Sequence, residues 1–240
     1  MNYLCLEENL GNAECVILSD PDRVKHIKDV LKKSRGDTIK ITVINHGVTT
    51  GLIKSISEDS VTLEVDKNFV KNRFTPKITL AVGACRPLMT KRILEHATTL
   101  GVSEFIFFKA YNSEKSYLDS KVLNEENRKK YLIKGLEQTG TFSELPDINI
   151  KKSIEDISLN NYDQKIFLHG PGEGFLSLDE TLTGNWIVFV GPERGWSDNE
   201  LRYMREEKLK EVAISQSILR VEFAVQSFMA QLEWVKNARR

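Results

Sequence analysis

The chain has 240 residues, 40% of them hydrophobic, and its 34 Lys and Arg residues balance 34 Asp and Glu residues. Such a chain is not basic throughout, so any contact with nucleic acid would need a local basic patch. The three cysteines, Cys5, Cys15 and Cys85, form no Cys-x-x-Cys pair, which argues against a disulfide framework or a zinc site. Since the start lacks a signal-peptide pattern and no apolar run is long enough to span a membrane, we expect a soluble cytoplasmic protein.

Residues 1–70 have the pattern of a small antiparallel β unit, which we interpret as a barrel. Short alternating stretches predict strands at 39–43, 52–56 and 61–65, separated by turn signals at 45–47 and 58–60. A short helix is predicted within 22–37 and stops near Gly36. Its apolar residues are spaced to share one face: Val24, Ile27, Val30 and Leu31.

From residue 78 onward, after a polar linker at 66–77, strand and helix patterns alternate. Strands are predicted at 78–85, 104–110, 165–169, 186–190 and 211–214. Helices are predicted at 88–101 with Thr90 as a possible cap, at 123–140, after the capping box Ser197–Glu200, and at 221–240. The alternation predicts an α/β fold with a mostly parallel sheet and helices on both of its faces.

Three segments that follow predicted strands are candidates for a ligand site, because ligands of open α/β sheets bind beyond the carboxyl ends of the strands. They are "IFLHGPGEG" at 166–174, "VFVGPERG" at 188–195 and "VAISQSILRVEFA" at 212–224. Glycine lets a ligand approach the backbone, and proline stiffens the loop. Ordinary turns between strands and helices would also contain Gly-Pro.

Arg220 and Glu222 stand at the start of the apolar last helix, where the helix dipole favours a carboxylate. They are either a cap with a surface ion pair or an active-site pair that faces a ligand. Sequence periodicity leaves these alternatives open. The four histidines are scattered singly and no phosphate-loop or zinc-protease motif occurs, so we predict no metal.

Five segments together resemble the ribosomal small subunit methyltransferase E family of the SPOUT superfamily, which makes N3-methyluridine in 16S rRNA. "FVGPERGWSDNE" and "ISQSILRVEFA" are similar to that family's GPEGG-(F/L)-S-x-x-E and L-G-x-R-(I/V)-L-R-x-E-T-A patterns. "TKRILEHATTLGVSEFIFF", "GLEQTGTFSELPDI" and "HIKDVLKKSRGDTI" are similar to upstream patterns of the family. The resemblance extends over nearly the whole chain, in the family's order.

The resemblance implies two domains, a dimer and a cofactor. Residues 1–70 would form an RNA-binding PUA-like β-barrel, and residues 71–240 a SPOUT methyltransferase domain with a C-terminal trefoil knot. The family pairs through its C-terminal helix, and the apolar stripe from Val221 to Val235 suits a homodimer interface, although a core-facing helix would look the same. S-adenosylmethionine (SAM) would bind in the knot. Its predicted contacts lie in the three candidate segments. They are Leu168, His169 and Gly170 in the first, Gly191, Pro192, Glu193 and Gly195 in the second, and Ile214, Ser215, Ile218 and Leu219 in the third.

The resemblance further implies methyl transfer to a uridine of 16S rRNA in the small ribosomal subunit. We hypothesise that Glu222 orients the base or accepts its proton, and that Arg220 stabilises charge on a base oxygen. Two basic clusters are candidate RNA contacts, or else solvated helix faces. They are Arg23, Lys25, His26, Lys28, Lys32, Lys33 and Arg35, and then Arg86, Lys91 and Arg92.

Several positions depart from the family pattern. Those singled out are Arg194 in GPERG, Phe223 after the glutamate, Thr99 and His96 in the ELG segment, and Thr141 after E-Q-x-x. Arg194 would either clash with the cofactor loop or point outward. These departures leave two alternatives open: an RNA-binding protein without catalysis, and a methyltransferase for another rRNA or tRNA base.

Overall fold

The chain forms two compact units, Met1–Asn72 with Leu136–Leu145, and Arg73–Gly135 with Pro146–Arg240. The structure, a computed structural model, describes residues 3–6, 15–170 and 182–238. The fold is mixed α/β, as predicted. Within the described residues, no helix has both the length and the apolar character needed to cross a membrane.

The first unit contains a five-stranded sheet in the order β1-β3-β4-β5-β2. Its strands are β1 (Leu4–Leu6), β2 (Cys15–Leu18), β3 (Thr38–Val43), β4 (Gly47–Ile56) and β5 (Val61–Val65). The three strands predicted from alternation, β3 to β5, are confirmed. The expectation of a purely antiparallel unit is wrong for β1, which lies parallel to β3. Short turns force neighbouring strands to be antiparallel, whereas the long connection from β1 to β3 imposes no such direction.

The predicted helix of the first unit is wound differently from an ordinary α-helix. Helix α1 (Pro21–Lys25) continues as a π-helical turn over His26–Val30, in which Leu31 N donates to His26 O at 2.9 Å. Val24 and Ile27 are buried as predicted, but Val30 and Leu31 are 64% and 37% exposed. The π turn rotates each residue less than an α turn does, so it carries these two side chains off the buried face. The helix ends before Lys32, which has φ 49°, rather than at Gly36.

The second unit contains a six-stranded sheet in the order β11-β9-β10-β6-β7-β8, and every described pair is parallel. Its strands are β6 (Lys77–Gly83), β7 (Glu104–Phe108), β8 (Asp147–Lys151), β9 (Gln164–Leu168), β10 (Asn185–Val190) and β11 (Lys210–Val212). The prediction of a parallel sheet is confirmed. Strand β8 was not predicted, because it is a largely exposed edge strand with little apolar signal.

Four helices accompany this sheet: α2 (Pro87–Thr99), α3 (Glu125–Thr139), α4 (Asp198–Glu206) and α5 (Val221–Ala238). The predicted capping box opens α4. The prediction that Thr90 caps α2 is wrong. Helix α2 begins at Pro87, whose fixed φ suits the first helical position, and Thr90 instead donates its hydroxyl back to Cys85 O at 3.3 Å.

The apolar stripe of α5 is buried within the chain itself, where α5 packs on α2 and β10. Its members are Val221, Val225, Phe228, Met229, Leu232 and Val235. Each is at most 4% exposed. The stripe therefore faces the core and is not available to a partner chain.

Candidate functional site

The three candidate segments begin side by side at one edge of the second sheet. Leu168 at the end of β9 is the register partner of Val190 at the end of β10 and of Val212 at the end of β11. Since all three strands are parallel, the segments that follow them emerge at the same level. Residues 171–174 of the first segment lie outside the described residues.

The loop after β10 is fixed against the junction between β6 and α2. A Cβ on Gly83, the last residue of β6, would lie 2.9 Å from Pro192 Cδ, so only glycine lets Pro192 sit there without displacement. Glu193 Oε1 accepts a hydrogen bond from Arg86 N at 2.8 Å and thereby holds the start of α2. The Glu193 carboxylate, predicted as a cofactor contact, is engaged in this bond.

Trp196 joins the first two segments. Its indole Nε1 donates to Leu168 O at 2.9 Å, and a Cβ on Gly191 would meet the ring at 3.1 Å. The ring also stacks on Phe108, with centroids 6.3 Å apart. Beyond this contact the described parts of the loops are open, because a Cβ built on Gly170 or Gly195 would have no heavy atom of the described residues within 4 Å. A ligand could therefore approach the backbone at both glycines.

Arg194 points outward. Its Nη2 lies 3.7 Å from Glu114 Oε1, and both side chains are largely exposed. Asn112 holds the adjacent backbone by donating to Gly195 O at 3.0 Å. Of the two placements considered from the sequence, a clash and an outward direction, the structure shows the outward one.

The segment after β11 is anchored by α5. Gln231 Nε2 donates to Ile214 O at 2.8 Å, and Ser217 N donates to Ser215 Oγ at 3.0 Å, which forms a small turn. Ile218 is fully exposed and Leu219 is half-buried. This segment presents an apolar side chain to solvent beside a tightly held backbone.

His169 is tied to the neighbouring strand. Its Nδ1 lies 2.6 Å from Glu211 Oε1, and Arg205 makes a two-pronged contact with the same carboxylate. Partial burial acts to raise the pKa of Glu211, but the hydrogen bonds from His169 and Arg205 outweigh it and lower that pKa. The His169 imidazole thus braces β9 against β11.

Arg220 and Glu222 are placed in different environments. Glu222 is 2% exposed; its Oε1 accepts from Arg92 Nη1 at 3.1 Å, and its buried Oε2 has no hydrogen-bond partner among the described residues. Arg220 is exposed, and its carbonyl accepts from Ala224 N. Sequence reasoning missed the pairing of Glu222 with Arg92, because the two residues are 130 positions apart. Only the packing of α2 on α5 reveals it.

Several of the basic residues predicted to contact RNA make contacts within the protein. Arg23 donates to Cys5 O and approaches Glu137, and Lys28 donates to Ser57 O. Lys91 lies 5.5 Å from the centre of the Tyr131 ring. Arg92 is paired with Glu222, as described above. The remaining predicted contacts are exposed or partly exposed: Lys25, His26, Lys32, Lys33, Arg35 and Arg86.

Among the described residues, Cys85 does not provide a reactive thiol, and the His, Cys, Asp and Glu residues do not form a metal site. Burial raises the pKa of the Cys85 thiol to about 12, so it stays protonated near neutrality and is a poor nucleophile. No group of three or more His, Cys, Asp or Glu residues in residues 3–6, 15–170 and 182–238 is placed to bind a metal ion.

Comparisons with known proteins agree with this architecture. Residues 72–233 match the RNA methyltransferase domain family. The chain is 30% identical to ribosomal RNA small subunit methyltransferase E 1 of Borreliella burgdorferi over 84% of this chain and 85% of the relative. It is 30% identical to ribosomal RNA small subunit methyltransferase E of Treponema pallidum over 93% of this chain and 87% of the relative.

The chain belongs to the ribosomal RNA small subunit methyltransferase E family. The fold is also that of a Neisseria gonorrhoeae member of this family, solved bound to S-adenosyl methionine. Its TM-score is 0.77 at 19% identity, with 98% of each chain covered. A probable rRNA-methyltransferase from Porphyromonas gingivalis has a TM-score of 0.78 at 18% identity, with 99% of this chain and 100% of that chain covered.

Three further departures from the family pattern have clear structural settings. Thr99 Oγ1 donates within the chain, 3.0 Å from Glu95 O and 3.2 Å from Gly135 O, at a close approach of α2 and α3. A Cβ on Gly135 would lie 2.5 Å from Glu95 O, so only glycine permits this approach. Phe223 is 49% exposed and Thr141 is exposed, so neither disrupts the core.

Proposed function

We propose that this methyltransferase uses SAM to methylate N3 of a uridine in 16S rRNA of the small ribosomal subunit. The observation that carries the proposal is that Leu168 is in register with both Val190 and Val212. The three candidate segments therefore begin side by side. The names of the two spirochaete relatives, and the SAM bound to the gonococcal protein, support the substrate and the cofactor.

The cofactor would lie against the backbone of the three segments. At Gly170 and Gly195 an added Cβ would meet no atom of the described residues within 4 Å, which fits a ligand that needs close approach to main-chain groups. The residues that would hold it are Leu168, His169, Gly170, Gly191, Pro192, Glu193, Gly195, Ile214, Ser215, Ile218 and Leu219. When bound, SAM supplies an electrophilic methyl group on a sulfonium.

The chain must orient the base and allow the N3 proton to leave. In the overall reaction a methyl–sulfur bond breaks, an N3–carbon bond forms and the N3 proton is released. Uridine N3 is engaged when the base is paired, so the target must be unpaired or turned out of a helix. We propose that Arg220, exposed at the start of α5, stabilises charge on a base oxygen. The burial of Glu222 argues against direct proton transfer by that carboxylate, and it leaves Glu222 an orienting role only through a neighbouring residue.

The finer architecture belongs to the same proposal. Residues 1–70 would be a PUA-like β-barrel that contacts rRNA, and residues 71–240 a SPOUT domain whose C-terminal part forms a trefoil knot. The exposed basic residues Lys32 and Arg35 support the RNA contact. A homodimer through the C-terminal domain would use the outer face of α5, where Phe223 and Trp234 are 49% and 63% exposed. The site of action would be the cytoplasm.

Transfer of labelled methyl groups to ribosomal subunits tests the proposal. The protein is incubated with methyl-labelled SAM and small subunits from a strain that lacks this modification, and the rRNA is digested for nucleoside mass spectrometry. The proposal predicts labelled N3-methyluridine. Label in another nucleoside would show that the target base or position is a different one from N3 of uridine. Absence of label, with RNA binding retained, would favour a binding protein without catalysis.

A further inference from the structure

Arg92 on α2 and Glu222 on α5 form an ion pair in which Glu222 lies in the interior and Arg92 lies partly at the surface. Arg92 Nη1 lies 3.1 Å from Glu222 Oε1, and the side chains are 40% and 2% exposed. We propose that Arg92 touches the substrate RNA and that Glu222 is a positioning residue that acts through Arg92. This inference rests on the proposed function and names a residue of the same site that contacts the substrate.

Glu222 cannot reach a base from its observed position. Its side chain is almost wholly enclosed, and Oε2 has no hydrogen-bond partner among the described residues. A buried carboxylate with an unsatisfied oxygen is costly, and the guanidinium beside it offsets that cost. The pair is therefore held together strongly, and the Arg92 side chain has one preferred direction.

Arg92 has the chemistry and the place for an RNA contact. A guanidinium has five N–H donors in a planar fork that suits phosphate and carbonyl oxygens. One nitrogen is used by Glu222, and the exposed part of the group presents further donors to solvent. Helix α2 begins at the end of β6, where Glu193 of the β10 loop accepts from Arg86 N. The helix that carries Arg92 is thus fixed to the second candidate segment.

The same two helices provide a matched control. One helical turn further along both α2 and α5, His96 Nδ1 lies 2.6 Å from Gln226 Nε2. Both pairs join α2 to α5, but the pair of His96 and Gln226 contains no buried carboxylate. If Arg92 and Glu222 served only to dock the helices, loss of either pair would affect the protein in the same way.

A double-mutant cycle tests whether Glu222 acts through Arg92. The variants are Arg92→Gln, Glu222→Gln, the double variant and Gln226→Ala, all in the full chain. Arg92→Gln keeps a donor for Glu222. Arg92→Lys, which keeps the charge without the planar fork, is measured as well, and it takes the place of Arg92→Gln if that variant does not fold. For each variant, kcat and KM are measured with small subunits, the Kd for SAM by calorimetry and the Tm by thermal unfolding.

The proposal predicts that each single variant lowers kcat/KM by roughly tenfold or more, as expected for a lost charge-assisted hydrogen bond. The double variant should be no worse than Arg92→Gln alone, because residues that act in series are not additive. Arg92→Lys should recover part of the loss. The Kd for SAM should stay within about twofold throughout, and Gln226→Ala should keep the wild-type kcat/KM.

Losses that multiply in the double variant would overturn the proposal, because Glu222 would then act on its own. An equal loss in Gln226→Ala would assign the pair to helix packing instead. If the wild-type chain transfers no methyl group, the proposed function fails, and the same cycle is measured on the Kd for small subunits. Weaker binding in Arg92→Gln and the double variant alike would keep Arg92 as an RNA contact, and unchanged binding would remove it.

Discussion

At the scale of single residues, Trp196 is the side chain that links two of the three candidate segments. Its indole N–H satisfies the carbonyl of Leu168, the last residue of β9, while its ring packs on Gly191 and Phe108. The family pattern quoted for this segment has Phe or Leu at this position, and neither side chain has an N–H donor. The hydrogen bond from Trp196 should hold the first segment at the spacing that a cofactor requires.

Trp196→Phe removes the N–H donor and keeps an aromatic ring. We predict that it weakens SAM binding by about tenfold, since one hydrogen bond that positions the site is lost, and changes the Tm little. Calorimetry with SAM measures the first effect and thermal unfolding the second. Trp186→Phe is the matched control, because Trp186 donates in the same way to Thr183 O near the opposite end of β10. Equal Kd values for the Trp196→Phe variant and the wild type would contradict the role assigned to the bond.

Glu211 gives a second residue-scale prediction, on stability against pH. Its pKa is lowered in the folded protein from the ordinary value of 4.5, despite partial burial, by His169 and Arg205. Its stabilising contribution is therefore present above pH 4.5 and is lost as pH falls through the folded pKa. Glu211→Gln should lower the free energy of unfolding at neutral pH, and the difference from wild type should shrink under acid. Urea unfolding at several pH values measures this, with the exposed Glu206→Gln as control. A difference that stays constant below pH 4.5 would be inconsistent with it.

At the scale of elements, the capping box at the start of α4 fixes the end of the β10 loop. Ser197 Oγ and N both donate to Glu200 Oε2, and Glu200 Oε1 accepts from Tyr111 N at 2.9 Å. The buried Glu200 thus serves two connections, the cap and the loop after β7. This explains why a charged side chain is tolerated at 7% exposure.

Ser197→Ala should lower the free energy of unfolding by about 1 kcal/mol, the usual cost of a lost N-cap. Glu200→Ala should cost more, because Tyr111 N and Ser197 N lose their acceptor together. Urea unfolding measures both, and Ser116→Ala at an exposed serine serves as the control. A larger loss of unfolding free energy in Ser197→Ala than in Glu200→Ala would contradict this, because the Ser197 cap would then contribute more than the buried Glu200 carboxylate.

The sequence predicted most elements correctly, because period and turn chemistry are local properties. Five of the six strands of the second sheet, all but β8, and the capping box of α4 were found in this way. The π turn at His26–Val30 was not, since its winding depends on packing against the sheet rather than on residue spacing. The three candidate segments were predicted as neighbours from the strand-end rule. The pairing of Arg92 with Glu222 was beyond sequence patterns, because tertiary contact alone brings the two helices together.

At the scale of the whole molecule, a formal charge of zero means that RNA affinity must come from a local surface. In the first unit, Lys32 and Arg35 are exposed and Lys33 is partly exposed. Arg23 and Lys28, by contrast, have protein partners and stabilise the unit. Lys32, Lys33 and Arg35 are thus the best candidates for phosphate contacts.

Neutralising Lys32, Lys33 and Arg35 to glutamine should weaken binding to rRNA at low salt. It should also reduce the slope of log Kd against log salt by roughly two to three, close to the number of phosphate contacts removed. Filter binding over a series of salt concentrations measures the slope. Lys54→Gln is the control, since Lys54 is paired with Glu64 at 2.8 Å in the same unit. An unchanged slope would exclude these residues from the RNA interface.

The central claim, that the segments after β9, β10 and β11 together bind SAM, is tested most directly by isothermal titration of the purified chain with SAM. We predict saturable heat, and a rise in Tm with cofactor concentration, because a ligand that binds only the folded state stabilises it. The absence of both heat and a Tm shift at about 1 mM SAM would contradict the account.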